Sequence, residues 1–143
     1  MQLKVKKLHV NAVVPSYAKH GDAGLDLTAV TMEIKDDYIE YGTGLAIQLP
    51  EGTVGLLYPR SSISNKELML SNSVGVVDAS YRGEVKLRFK YNQKGPSPKE
   101  HFYKIGDRIA QLIVTEIPKM EIEEVTELST TERGTGSYGS TGA

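Results

Sequence analysis

The sequence predicts an all-β sandwich or barrel with one short helix. The first observation is a two-residue alternation, clearest at residues 85–92, where apolar side chains alternate with Lys86, Arg88 and Lys90. In a strand this pattern places the apolar side chains on one face of the sheet, whereas a helix would scatter them around its circumference. The second observation is the close spacing of short apolar runs separated by turn residues, which is typical of sandwiches and barrels.

The same reasoning assigns the elements in chain order. Strands are expected at 3–8, 25–34, 38–49, 53–58, 74–77, 85–92, 109–116 and 121–125. Clusters rich in Gly, Pro, Asn and Asp predict turns at 20–22, 50–52, 92–98 and 106–107. The helix is expected at 64–70, after the Ser61-Ser62 pair, with Ser64 or Asn65 as its N-cap.

The composition excludes several classes of protein. The 143 residues have the length of one domain, and 17 Lys+Arg nearly balance 18 Asp+Glu, so stable nucleic-acid binding is not expected. The absence of Cys excludes disulfides, thiolate metal sites and cysteine nucleophiles. The longest apolar run, 54–58, is far shorter than the ~20 residues of a membrane helix, and the first residues do not resemble a signal peptide. No membrane association is expected, and the expected compartment is the cytoplasm, or the host cytoplasm if the gene is viral.

The composition changes near residue 129, which divides the chain into a β core at 1–128 and a C-terminal arm at 129–143. Eleven of the fifteen arm residues are Gly, Ser or Thr, so the free arm is expected to be mobile. A frayed tail is the simple interpretation. The alternative is an arm that becomes ordered over an anionic ligand, using Arg133, Tyr138 and backbone N–H groups.

Several well-known site signatures are absent from the sequence. The three histidines are far apart, no phosphate-binding Gly-x-x-x-x-Gly-Lys-Ser/Thr loop occurs, and no Gly-x-Ser-x-Gly elbow is found. The candidates for chemistry are instead short polar segments at strand ends.

Two of these segments carry groups suited to a metal and to phosphate. Asp26 lies between two apolar residues in a predicted strand, where it either faces solvent or orients metal-bound water. Arg60-Ser61-Ser62 follows a strand and precedes the predicted helix. These residues form either a phosphate cradle or a helix cap with a surface Arg.

Two further segments carry a carboxylate and an amide. Asp78 enters a turn that also holds Tyr81, where it either positions a water and takes its proton or simply initiates the turn. Gln111 lies within an apolar strand and either contacts a ligand or faces water at a sheet edge.

The order of these segments resembles a known family. The five segments 23–27, 59–62, 75–83, 106–113 and 133–142 resemble the five motifs of the trimeric dUTPases (deoxyuridine triphosphate nucleotidohydrolases). The resemblance covers nearly the whole chain, from the first predicted strand to the last Gly.

The resemblance implies an all-β, jelly-roll-like fold of the β-clip barrel type, with a flexible C-terminal arm that closes over the active site. It also implies a homotrimer whose active sites are shared between subunits. The implied reaction is Mg²⁺-assisted hydrolysis of dUTP to dUMP and pyrophosphate, which keeps uracil out of DNA and supplies dUMP for dTMP synthesis.

The resemblance assigns the third motif to the base, the sugar and the water. Asp78 matches the carboxylate that activates water for in-line attack on the α-phosphorus. Tyr81 matches the ring that packs on deoxyribose and leaves no room for a 2′-hydroxyl. The turn after Val77 matches the hairpin that recognises uracil through backbone groups, and Asn72 matches a side chain that touches the base in some members.

The other motifs are assigned to the phosphates and the metal. Ser61 matches the phosphate-contacting Ser of the second motif, and Ser62 beside it is also expected to bind substrate. Arg60 and Gln111 match residues that engage the triphosphate or the subunit interface. Asp26 matches the carboxylate that holds Mg²⁺ through water. The arm motif supplies Arg133 for the γ-phosphate and Tyr138, Gly139 and Ser140 for closure over the substrate.

Three residues depart from the commonest family pattern, and two alternative functions remain. Ser62 stands where Gly is usual in the family, and many dCTP deaminases also have a Ser at this position. Ser80 replaces a frequent Asp or Asn, and Ser137 replaces a Gly. A dCTP deaminase, or a bifunctional deaminase–dUTPase, would need a catalytic Glu, and Glu84 is the one available in the third motif. A non-catalytic nucleotide-binding regulatory relative is the other alternative.

Overall fold

The computed structural model describes residues 1–92 and 101–137, and the regular secondary structure of this part of the chain is almost entirely β. The all-β prediction is therefore confirmed. The described part contains nine strands and one short 3₁₀ helix at Ser61–Asn65. The strands are β1 (Lys4–Lys7), β2 (Leu25–Thr28), β3 (Thr31–Ile34), β4 (Tyr38–Gln48), β5 (Thr53–Pro59), β6 (Leu68–Leu70), β7 (Gly75–Val77), β8 (Glu84–Tyr91) and β9 (Arg108–Glu116).

The strands form two antiparallel sheets. The first has the order β1-β4-β8-β6, with β3 also paired to β4, and the second has the order β2-β9-β5-β7. Both sheets contribute to one apolar core, which includes Tyr41 and Phe89 from the first sheet and Leu27, Ile109 and Leu112 from the second. The chain is thus a jelly-roll-like sandwich, as the sequence led us to expect. No helix in residues 1–92 or 101–137 has the length and apolar character needed to cross a membrane.

Strand β8 shows the period-two pattern that predicted the fold. Val85, Leu87 and Phe89 are buried, while Lys86 and Arg88 on the opposite face are exposed. Strand β8 has one buried face and one exposed face. This fixes the register of β8 against β4, since a one-residue shift would bury the cationic side chains of β8.

Two predicted elements are wrong. The helix expected at 64–70 is instead the 3₁₀ helix Ser61–Asn65 followed by β6, because Leu68 and Leu70 are buried by pairing with β8 while Met69 stays exposed. The strand expected at 121–125 is not formed, and these residues are exposed and pair with no strand in the described chain. In the first case, pairing with a neighbouring strand overrode the local helical propensity. In the second case, the segment has strand propensity but pairs with no strand in the described chain.

Other boundaries differ only in detail. The run at 25–34 forms two strands, β2 and β3, which belong to different sheets. The turn expected at 92–98 lies outside the described residues except for Asn92.

Three aromatic rings form the centre of the core. Tyr41 contacts Phe89 and Tyr103 with ring centroids 5.7 and 6.2 Å away. Burial raises the pKa of Tyr41, so its hydroxyl stays protonated and donates to the Tyr103 carbonyl at 3.0 Å. The hydrogen bond satisfies a polar group that would otherwise be costly in this core.

A β-bulge in β4 lies opposite the start of β8. The register between β4 and β8 shifts between Gly42 and Ala46, and the buried Thr43 hydroxyl donates to the Val85 carbonyl at 2.7 Å. The Gly44 N–H donates to Glu84 Oε1 at 2.8 Å. The carboxylate of Glu84 is therefore used in holding the bulge.

Gly44 gives a prediction about stability. Its φ is +64°, and an added Cβ would lie 2.6 Å from His9 Cβ and 2.9 Å from Val30 Cγ2. We expect Gly44→Ala to lower the free energy of unfolding by about 3 kcal/mol, from left-handed strain and overpacking together. Urea titration followed by circular dichroism measures this loss.

Gly52 provides the matched control. Its φ is +75°, but an added Cβ would have no heavy atom within 4 Å. Gly52→Ala should therefore show the backbone strain alone, about 1 kcal/mol. Equal losses for the two variants would show that the contacts with His9 and Val30 contribute nothing.

Candidate active site

A cavity of about 470 Å³ lies where the chain passes from the second sheet to the first. This volume falls within the range of small-molecule sites. Four of the predicted site residues line it: Asn72, Val77, Asp78 and Tyr81. The structure thus brings Asn72 and the third-motif residues to one cavity, and their roles stay predictions.

Strand β7 forms one wall of the cavity, since all three of its residues line it. It pairs with β5 and is the last strand of its sheet, so its other edge has no partner strand among residues 1–92 and 101–137. The side chain of Val77 is buried, while Val76 is 65% exposed. Free N–H and C=O groups along this edge are available to a planar ligand.

The turn after β7 carries Asp78 and Tyr81. The Tyr81 N–H donates to the Asp78 carbonyl at 3.0 Å, and the Tyr81 hydroxyl donates to the Glu84 carbonyl at 3.0 Å. An added Cβ at Gly83 would lie 2.4 Å from the Tyr81 hydroxyl oxygen, so the ring packs directly on this glycine. Asp78 itself is exposed at the mouth of the cavity.

Asn72 reaches the same cavity from the turn between β6 and β7. The next residue, Ser73, has a φ of +60°, and the Val74 N–H donates to the Asn72 carbonyl at 2.6 Å. This tight turn brings Asn72 beside β7.

A second polar cluster joins the first, second and fourth motifs. Asp26 Oδ1 accepts from Arg60 Nε at 2.9 Å, and its Oδ2 accepts from Arg108 Nη1 at 2.9 Å. The sheet order β2-β9-β5 brings these residues together, since Asp26 is on β2, Arg108 begins β9 and Arg60 follows β5. The side chain of Asp26 is only 13% exposed, so the carboxylate is firmly held.

Gln111 completes this cluster. It lies between Asp26 on β2 and Tyr58 on β5 in the strand register, and its Nε2 donates weakly to the Pro59 carbonyl at 3.4 Å. An added Cβ at Gly24 would lie 2.6 Å from Gln111 Oε1, so only glycine fits there. The first motif therefore supports the amide by close packing.

Arg108 is a member of this cluster that the sequence did not single out. It follows directly on Gly106-Asp107, where a turn was predicted, and its cationic side chain was assigned no partner. In the strand register Arg108 lies opposite Thr28, and its long side chain reaches back to Asp26 across the pairing of β2 with β9.

The two serines of the second motif lie in the 3₁₀ helix. Ser61 is exposed and its carbonyl accepts from the Ser64 hydroxyl at 2.9 Å. Ser62 is half-buried, with its hydroxyl 3.4 Å from that of Tyr103, whose pKa is raised by burial. Ser61 is thus open to a ligand, while Ser62 faces the protein.

The C-terminal segment extends away from the described core. Residues 117–137 are exposed throughout, and Arg133 forms a local turn in which its Nε donates to the Gly136 carbonyl at 3.1 Å. Tyr138, Gly139 and Ser140 lie outside the described residues. Five large apolar side chains on this segment are exposed to solvent: Ile117, Met120, Ile122, Val125 and Leu128.

The predicted site residues therefore form two separate groups within one chain. The lining of the cavity includes none of Asp26, Arg60, Gln111 or Arg133. A ligand that contacts both groups must bridge them, or must bind where two chains meet.

The fold and the cavity place this chain in the class of jelly-roll-like β proteins with a cavity of small-molecule size. The family model described as dUTPase matches residues 10–142, nearly the whole chain. The chain belongs to the dUTPase family.

Similar proteins agree with this assignment. The chain is 42% identical to a deoxyuridine 5'-triphosphate nucleotidohydrolase of Clostridium kluyveri, over 99% of each chain. It is 43% identical to one of Corynebacterium glutamicum, over 98% of this chain and 94% of the relative. A mutant of the dUTPase of Staphylococcus bacteriophage 80alpha, solved with dUpNHpp, has a TM-score of 0.83 at 30% identity and covers 99% of each chain.

A second solved structure concerns a metal. A mutant dUTPase of the S. aureus phage phi11, solved to show the coordination of a structural Mg(II) ion, has a TM-score of 0.76 at 25% identity. The match covers 91% of this chain and 100% of that one.

Proposed function

We propose that this chain hydrolyses dUTP to dUMP and pyrophosphate. Family membership and full-length relatives named for this activity support the proposal. The observation that carries it is the cavity bordered by the free edge of β7, with Asp78 and Tyr81 at its mouth. By lowering dUTP, the reaction would keep uracil out of DNA, and its product would supply dTMP synthesis; we assign it to the cytoplasm.

In the proposed mechanism, Asp78 is the general base. Its exposed carboxylate takes a proton from a water as the water oxygen bonds to the α-phosphorus. The bond from that phosphorus to the bridging oxygen breaks in line, and its electron pair leaves with pyrophosphate. No covalent enzyme intermediate is needed, so positioning of the water and the phosphates provides most of the catalysis.

The base and sugar are selected within the cavity. Peptide groups of β7 at Val77 and its neighbours would pair with the uracil edge and leave cytosine with unmatched donors. The Tyr81 ring would pack on deoxyribose, since its hydroxyl and Gly83 fix its position. Asn72 lines the same cavity and would contact the base.

The triphosphate would be held by the second cluster and the arm. Arg60, Ser61 and Gln111 offer a guanidinium, a hydroxyl and an amide, Arg133 would reach the γ-phosphate, and Ser62 would support Ser61 through its contact with Tyr103. The remaining arm residues, Tyr138, Gly139 and Ser140, would close over the base and exclude water.

Magnesium fits this site as a substrate-borne ion. No group of three or more metal-ligating side chains occurs in the described ranges, which suits a cation that is bound chiefly by phosphates and keeps its waters. Both oxygens of Asp26 accept from guanidinium groups, and each keeps a further acceptor site that would take a hydrogen bond from a metal-bound water. When bound, Mg²⁺ would neutralise phosphate charge and orient the triphosphate.

A homotrimer with shared sites accounts for two features of the single chain. The two groups of site residues are separate, and the apolar side chains of residues 117–128 have no cover in the described chain. Packing these side chains on a neighbouring copy would bury them and would bring one copy's arm to another's cavity.

The deaminase alternative is not favoured. The carboxylate that it would need, Glu84, accepts from the Gly44 N–H and lies 3.8 Å from Lys86 Nζ. A non-catalytic relative has no observation in its favour, since Asp78, Tyr81 and Arg133 are all present.

The test offers dUTP, dCTP, dTTP and UTP separately, with Mg²⁺ or with EDTA, and identifies products by chromatography. We expect dUMP and pyrophosphate from dUTP alone, with strong loss of turnover in EDTA. Deaminated product from dCTP would show that the deaminase alternative is correct. Absence of turnover with all four would reduce the proposal to nucleotide binding.

A further inference from the structure

The Arg82 side chain turns back onto the loop that carries Asp78 and Tyr81. Its Nη1 donates to the Ala79 carbonyl at 2.7 Å and to the Tyr81 carbonyl at 2.7 Å. Both distances are typical of strong, charge-assisted hydrogen bonds. One guanidinium therefore fixes two peptide groups on either side of Ser80.

Apart from Ala79, which packs against the core, the turn is held chiefly by its own hydrogen bonds. In residues 1–92 and 101–137, the hydrogen bonds that reach residues 79–83 all come from residues 78–84 themselves, and Arg82 supplies two of these four. The turn also connects the two sheets, because β7 belongs to one and β8 to the other. The hydrogen bonds that hold this turn thus come from residues of the turn itself.

Arg82 acts from outside the cavity. It is absent from the cavity lining and instead borders a separate cleft of about 290 Å³, together with Lys4 and Lys6 of β1. A direct role in binding the base or sugar is therefore not indicated by its position.

We propose that Arg82 is a positioning residue that holds Asp78 and Tyr81 in the geometry needed for water activation and sugar packing. The inference rests on the proposed function for its catalytic part. Its structural part, the ordering of residues 79–83, does not depend on which substrate is used.

Three variants test this role. Arg82→Met removes both hydrogen bonds, Arg82→Lys keeps the charge on a shorter side chain, and Lys6→Met removes a neighbouring charge from the same cleft. We expect Arg82→Met to lower kcat for dUTP by about 10- to 100-fold, since small misplacements of reacting groups have effects of that size. Arg82→Lys should recover part of the loss, and Lys6→Met should behave as the parent.

Amide hydrogen exchange provides a readout that is independent of activity. In Arg82→Met, the Tyr81 amide, which donates to the Asp78 carbonyl, should exchange at least ~10-fold faster, while the amides of β4 and β8 stay unchanged. A merely structural role in global stability would accelerate exchange in β4 and β8 as well, and would overturn the proposal.

Other outcomes separate the inference from the proposed function. Parental kcat and parental exchange in Arg82→Met would refute the role of Arg82 while leaving dUTP hydrolysis intact. A loss in Lys6→Met equal to that in Arg82→Met would show that charge alone matters. If the parent does not hydrolyse dUTP, the proposed function fails, and exchange at the Tyr81 amide still decides whether Arg82 orders the turn.

Discussion

Asp78→Asn should lose turnover of dUTP and keep nucleotide binding. The amide cannot accept the proton of the attacking water, so kcat is expected to fall by about 1,000-fold, within the usual contribution of a general base. Asn has the same shape, and position 78 is exposed, so the fold should not change. Steady-state hydrolysis of dUTP measures the loss, and titration calorimetry with a non-hydrolysable dUTP analogue measures the retained binding.

Asp37→Asn is the matched control for this experiment. Asp37 is an exposed carboxylate that precedes β4 and does not line the cavity. This variant should retain the parental kcat. Parental turnover in Asp78→Asn would show that another group takes the proton and that Asp78 only shapes the turn.

Removal of residues 133–143 should abolish most activity and leave the folded core intact. Residues 117–137 are exposed in the described chain and add nothing to its core, so their far end can be deleted without opening a cavity. Without Arg133 and the following residues, the γ-phosphate loses its guanidinium and the site stays open to water. We expect kcat/KM for dUTP to fall by at least about 100-fold.

Two measurements accompany the truncation. Thermal unfolding should give the parental midpoint, and light scattering should give three times the chain mass in both proteins, because the apolar residues 117–128 remain. The single variant Arg133→Ala should reproduce part of the activity loss. Full activity in the truncated protein would contradict a closing arm, and a monomeric mass in the parent would contradict the shared site.

The fold class could be predicted from the sequence because a strand that is buried on one face has apolar side chains at every second position. Strand β8 shows this most clearly, since its buried and exposed residues alternate without exception from Val85 to Lys90. The segment at 64–70 could not be assigned in the same way. Its two buried leucines fit a short strand or a helical turn, and only pairing with β8 decides between them.

The candidate site was predictable in composition but not in arrangement. Asp78 and Tyr81 could be chosen because a carboxylate and a ring in one turn suit water activation and sugar packing. The contact between Asp26 and Arg108 depends on strand register over 82 positions of sequence separation. Likewise, the side-chain contacts of Arg82 with its own turn depend on a rotamer, which no sequence pattern specifies.

The free edge of β7 has a consequence for how this protein tolerates mutation. The peptide groups along this edge are the same whatever side chain the strand carries. Val76 lines the cavity and is 65% exposed, so its replacement would change the shape of the cavity but not the pattern of backbone donors and acceptors along β7. Under the proposed function, the preference for uracil therefore depends on the backbone conformation of β7. Substitutions can change the side chains of this strand while the substrate stays the same.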